Sequence, residues 1–189
     1  MKQLAGTAMV IALLAAGPAL AQSTTPQTRQ NAASAGTSTP QKLDSQDRSF
    51  VTKAAEGGVS EVKLGQLALD KASNPHVKQF SQKMIDDHKK ADRQLRQALA
   101  EDKVAFPDHM SSDAANTYDK LAKESGKNFD QDYMQAMISD HQQDVSAFED
   151  EAKNGKDQSL KQYAENTLPI LRQHLQTAKN INNQLSKQQ

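Results

Sequence analysis

The 189-residue chain contains no cysteine and no tryptophan, and Phe and Tyr together make up 4% of it. Without cysteine there is no disulfide, no lipid anchor on a cysteine and no haem attached through Cys-x-x-Cys-His. So few aromatic residues leave little to line a noncovalent haem pocket. Charge of one sign is lacking as well: 23 basic residues face 23 acidic ones, and the count is 22 against 23 once Lys2 is removed with a leader. That balance gives no support to a nucleic-acid partner or an anionic membrane surface. No Ser-His-Asp arrangement and no glycine-rich phosphate loop occurs, so no catalytic residue is assigned. No segment alternates with the period of a β-strand.

What is present begins with a leader. Met1 and Lys2 give a short basic start, Met9 to Ala16 an apolar core, and Ala19-Leu20-Ala21 a small-x-small cleavage site. Residues 1–21 are therefore read as a signal peptide, with the mature chain starting at Gln22 and a periplasmic or secreted location. No later apolar run is long enough to span a membrane. Residues 22–43 are mostly Ser, Thr, Gln, Ala, Pro and Asn. Such a stretch cannot bury enough apolar surface to offset the entropy of ordering, and it reads as a disordered linker. Residues 44–186 are left for a single domain with one core.

Four long helical patterns fill that domain. The first runs from about Asp44 to Ala72, and Asn74-Pro75 caps and starts the second, which extends to about Asp102. The third spans about Asp130 to Lys153, and a tight turn at Asn154–Asp157 leads into the fourth. The second and third are joined by a longer connection, Lys103 to Phe129, with a short helix over Asp113 to Glu124 that Gly126 ends. Short turn, long crossover, short turn is the connectivity of a ferritin-like four-helix bundle, and the expected fold is all-α of that kind.

One stretch recurs. Phe80, Met84-Ile85 and Asp87-His88 come back 53 residues later as Tyr133, Met137-Ile138 and Asp140-His141. Steps of four residues keep one face of a helix, so each histidine lies on the stripe of its apolar neighbours. Glu61 and His174 occupy the equivalent stripes of the first and fourth helices. At about 1.5 Å per residue, Glu61 and His88 stand about 18 and 20 Å from the first turn, and His141 and His174 about 20 and 27 Å from the second. All four fall in the middle third of the bundle. One carboxylate and three imidazoles in an apolar interior are costly unless they share a cation or bond to one another. The residues admit both readings: a mononuclear metal site of Glu61, His88, His141 and His174, or a structural Glu–His network that only fixes packing. His76 and His109 fall outside the stripe and are expected in solvent.

Taken together, Glu61-x3-Gly65-x2-Ala68, Asn74-Pro75-x-Val77, Asp87-His88, Phe129-Asp130-x2-Tyr133, His141 and Leu168-Pro169-x4-His174-Leu175 resemble the bacterial family labelled domain of unknown function 4142. The resemblance covers about Phe50 to Ile181. It implies a ferritin-like, exported protein, often described as a predicted outer-membrane protein, and it implies no reaction.

A di-iron site of the ferritin type needs Glu-x-x-His on two helices. Three residues before His88, His141 and His174 stand Ile85, Ile138 and Leu171. A single ion held by three histidines and one glutamate is the most the pattern allows, and zinc, iron, manganese and copper all accept that donor set. Asp87 and Asp140 sit about 100° off the stripe, placed either to orient an imidazole or as plain polar flank. Asp144, one turn after His141, is a reserve ligand. Met84 and Met137 suit Cu(I) as ligands or serve as core filler. The implied function is ion storage, sensing or stress protection, against a purely structural envelope role.

Overall fold

The computed structural model describes residues 43–102 and 104–187. The signal peptide read at 1–21 and the linker read at 22–43, apart from Leu43, lie outside the described residues. Among the described residues all regular structure is α-helical: α1 (Ser45–Lys71), α2 (Pro75–Ala98), α3 (Ser112–Leu121), α4 (Gly126–Asn154) and α5 (Gln158–Ser186). The four long helices and the long connection between the second and third are as the apolar periodicity indicates. None of the described helices is long and apolar enough to cross a membrane.

Four of the five helix starts, all but that of α4, are fixed by a side chain that satisfies a free backbone N–H. Asp44 accepts from the N–H of Asp47, Asn74 from that of His76 with Pro75 behind it, Ser111 from that of Ala114 and Asp157 from that of Leu160. Two buried aspartates then tie one hairpin to the other. Asp47 on α1 accepts from the N–H groups of Lys156 and Asp157 in the α4–α5 turn, at 2.9 and 2.8 Å. Asp130 on α4 accepts from Ser73 and Asn74 in the α1–α2 turn, at 3.0 and 2.9 Å from their backbone nitrogens. Each carboxylate replaces water on amides that a tight turn cannot pair internally.

The hairpins α1–α2 and α4–α5 pack with α2 against α5 and α1 against α4, while α3 lies on α1 and α4. Both α2 and α4 begin in one apolar cluster, with Val77, Phe80, Phe129 and Tyr133, and end in another, with Leu95 and Phe148. They therefore run in the same direction at opposite corners, and the chain between them must travel the length of the bundle.

Two boundaries differ from those the sequence suggests. Helix α2 stops at Ala98 rather than near Asp102; Leu99 is buried but already non-helical, so an apolar residue continues the stripe past the helix end. Helix α4 starts at Gly126, a turn before Asp130, because Asp130 caps the α1–α2 turn and not its own helix. Gly126 consequently opens α4 instead of closing the short helix, and its φ of 61° is the left-handed conformation that glycine adopts without penalty. Proline 169 is exposed, and α5 continues through it.

Candidate metal centre

All four long helices pass from one apolar cluster to the other, and each makes the passage at an ionisable residue. On α1 the change falls between Ala55 and Leu64, on α2 between Met84 and Leu95, on α4 between Ile138 and Phe148, and on α5 between Leu171 and Ala178. Glu61, His88, His141 and His174 lie in those four gaps, with exposures of 2, 7, 0 and 1%. They form a polar layer between two apolar ones.

Simple heights leave a mismatch that the direction of helical side chains removes. Glu61 is 10 residues before the end of α1 and His88 is 13 after the start of α2. His141 is 13 before the end of α4 and His174 is 16 after the start of α5. Each pair is thus offset by three residues, about 4.5 Å. Side chains tilt towards the N-terminus of their helix. Glu61 and His141 tilt away from their turns, His88 and His174 tilt back towards them, and the offset closes.

The result is a compact group. Ring centroids are 5.3 Å apart for His141 and His174, 5.6 Å for His88 and His174, and 5.8 Å for His88 and His141. One ring nitrogen from each of the three can be chosen so that all lie within 4.8 Å of one another. Glu61 Oε2 is in direct contact with His88 Nε2, and Glu61 Oε1 lies 3.2 Å from His141 Nδ1.

Hydrogen-bond partners fix the protons. His141 Nδ1 faces the Met137 carbonyl at 2.9 Å, an oxygen that can only accept, so Nδ1 carries the hydrogen and Nε2 the lone pair. His174 Nε2 donates to Asp87 Oδ2 at 2.7 Å, which leaves the lone pair on Nδ1. His141 Nε2 and His174 Nδ1 face each other at 3.3 Å. In the neutral rings these are two lone pairs with no hydrogen between them. Either one imidazole is protonated or a cation sits close to both. Burial depresses all three histidines, His88 and His174 to about 4, with His141 also lowered although Glu61 opposes the shift. Placing a proton on His174 at pH 7 then costs on the order of 4 kcal/mol.

The remaining donors are likewise uncommitted. Neither oxygen of Glu61 and not Nε2 of His88 makes a hydrogen bond of acceptable geometry. Burial raises Glu61 to about 7, with His141 lowering it and Asp140 raising it. Asp144 is raised to about 8 by burial and by Glu61, and Asp140 to about 6 by burial. Burial also acts upward on Asp87, but its hydrogen bonds from Lys83 and His174 outweigh that and hold it below the usual carboxylate range. Asp87 therefore orients the imidazole of α5 rather than that of its neighbour His88, a cross-helix pairing that spacing along one chain segment does not reveal.

Asp140 and Asp144 do not touch the histidine nitrogens; they line a cavity on the α1–α3–α4 side that ends at Glu61. Met84 and Met137 are fully buried in an apolar cluster. His76 and His109 are exposed, and His109 Nε2 lies 3.5 Å from Glu56 Oε1. Asp47 and Asp130, the aspartates that bind the turns, were not singled out by stripe reasoning because they lie at helix ends, where an acidic residue reads as an ordinary cap.

The family model described as "Domain of unknown function (DUF4142)" matches residues 31–181. Among solved structures, the DUF305 fragment from Deinococcus radiodurans is similar with a TM-score of 0.67 and 13% identity, over 76% of this chain and 99% of that one. CopM in its Cu(II)-bound form is similar with a TM-score of 0.62 and 18% identity, over 73% and 96%. At such identities the likeness is one of fold. No curated protein matches the chain.

Proposed function

The chain belongs to the DUF4142 family, whose function is unknown, and from that premise we propose that it is an exported helical bundle binding one transition-metal ion. The ligands are His88, His141, His174 and Glu61, with Asp87 holding the His174 ring. The observation that carries this reading is the pair of facing lone pairs. Two imidazole nitrogens bound to one tetrahedral ion at about 2.05 Å stand about 3.3 Å apart, and His141 Nε2 and His174 Nδ1 are separated by 3.3 Å. The unpartnered atoms of Glu61 and His88 supply the other two donors. Zinc, iron, manganese and copper all suit three imidazoles and a carboxylate. CopM was solved with Cu(II) bound, which makes copper the first ion to try. Storage, sensing or stress protection in the periplasm fits a buried site of this kind, and the leader read in the first 21 residues supports export.

A structural reading is favoured by one contact. Glu61 Oε2 and His88 Nε2 are close enough to share a proton, and a network satisfied in that way would fix packing with no ion. The two readings separate by mass action, since an ion that binds only the folded state raises its melting temperature. The metal reading expects zinc or copper to raise the melting temperature of the apo protein, and His141→Ala to abolish the rise while keeping its helical circular dichroism. Identical responses of wild type and variant to zinc, copper, iron and manganese would leave only the structural network.

A further inference from the structure

Glu61 is the one residue shared between the histidine group and the largest opening that reaches it. Between α1, α3 and α4 lies a cavity of about 310 Å³ with Glu61 in its wall. Four further carboxylates line it, Glu56, Asp113, Asp140 and Asp144, against a single cation, Lys53. Both Glu61 oxygens are buried and lack a hydrogen-bond partner. The wall opposite α1 and α4 comes from α3 and its capping residue Ser111, with Asp113, Ala114 and Thr117, so the long connection encloses this space as well as crossing the bundle.

Two other openings reach the histidines, and their size decides against them. The seam between α2 and α5 beside His88 and His174 encloses about 10 Å³, and the space beside His88 and Phe148 about 20 Å³. One water needs about 10–15 Å³ measured in this way. These openings have room for one or two waters at most, whereas the α1–α3–α4 cavity, at about 310 Å³, has room for a divalent cation with its shell of water. Two further depressions, of about 390 and 380 Å³, include none of the four inner residues.

We infer that this cavity is an outer binding site for a hydrated divalent cation, held by Asp140 and Asp144, from which Glu61 passes the ion to the histidines. The inference rests on the metal reading of the inner site. A concave wall with an excess of carboxylates raises the local concentration of cations, and carboxylates accept a hard, hydrated ion before imidazoles replace its water. Glu61 is suited to the transfer because it faces both compartments: its carboxylate touches His88 and lies beside His141, while the same side chain lines the cavity.

The test is stopped-flow uptake of Co(II) by the full-length apo protein, followed through the visible bands that appear when cobalt exchanges water for imidazole. For wild type the observed rate should saturate with Co(II) concentration, because the outer site fills before transfer. In Asp140→Asn/Asp144→Asn the rate should become linear in concentration and fall about tenfold at low salt, with the final amplitude retained. Thr117→Lys, which adds a positive charge to the α3 wall without touching those aspartates, should also slow uptake. Gln94→Lys on the α2–α5 side should not. Uptake as fast in the double variant and in Thr117→Lys as in wild type would overturn the outer site, as would equal slowing by Gln94→Lys. Loss of amplitude in the double variant would make Asp140 and Asp144 inner ligands, which also overturns it. Should wild type develop no bands with Co(II), the inner site and this inference fall together. If bands form normally and only the rates are unaffected, the inner site stands alone.

Discussion

The His174 ring shows how one side chain decides the chemistry of another. Its Nε2 is bound by Asp87 of a different helix at 2.7 Å, and this alone determines that Nδ1 offers a lone pair to the site. Acceptors that orient ligating histidines typically contribute about 10–100-fold in metal affinity. Asp87→Ala should therefore weaken ion binding by about that factor, read in a chelator-competition titration, with helical content unchanged; an unaltered affinity would remove Asp87 from the site. A second prediction concerns Glu151, which is buried with both oxygens unpartnered and raised to about 7 by burial and then by the nearby Asp47. A carboxyl whose folded value lies above its unfolded value holds its proton longer in the folded state. Its ionisation consequently costs stability as pH rises from about 4.5 to about 7. Glu151→Gln cannot ionise, so its gain in melting temperature over wild type should be larger at pH 8 than at pH 5. A pH-independent difference would contradict the assignment. At this scale the repeated histidines were legible because a stripe position repeats with the helix. The partners of Asp87, Asp47 and Asp130 were not, since each reaches across to another helix or turn.

At the scale of elements, the close approach of α1 to α2 rests on one glycine. A Cβ added at Gly65 would stand 2.9 Å from Ile85 Cγ1 and 3.1 Å from the Ser81 carbonyl oxygen, whereas one at Gly58 meets nothing within 4 Å. Gly65→Ala should destabilise the protein by about 1–3 kcal/mol through overpacking, and Gly58→Ala should stabilise it by up to about 1 kcal/mol through helix propensity. Urea unfolding of the two variants measures both, and stabilisation by both would show that helix propensity rather than packing governs α1. The sequence shows that glycines interrupt α1, but only the position of α2 distinguishes the tight one from the open one. Helix ends were misjudged for a related reason. Leu99 and Asp130 carry local signals, an apolar stripe and a cap, that tertiary contacts put to other uses.

Across the whole molecule, two apolar clusters are separated by a layer that contains one carboxylate and three imidazoles. Filling that layer with leucine would make a simpler core, since buried ionisable groups cost free energy unless paired. The order of helices, the crossover and the central height of the four residues were readable from periodicity and turn chemistry. The α1–α3–α4 cavity was not, because it depends on where the connecting helix settles. The most direct test of the account is the metal content of full-length protein purified without an affinity tag, loaded separately with zinc and copper and dialysed. Binding at the histidine layer predicts about one tightly held ion per chain for wild type and less than about a tenth of that for His141→Ala. Equal metal content in wild type and His141→Ala, or none in either, would contradict it.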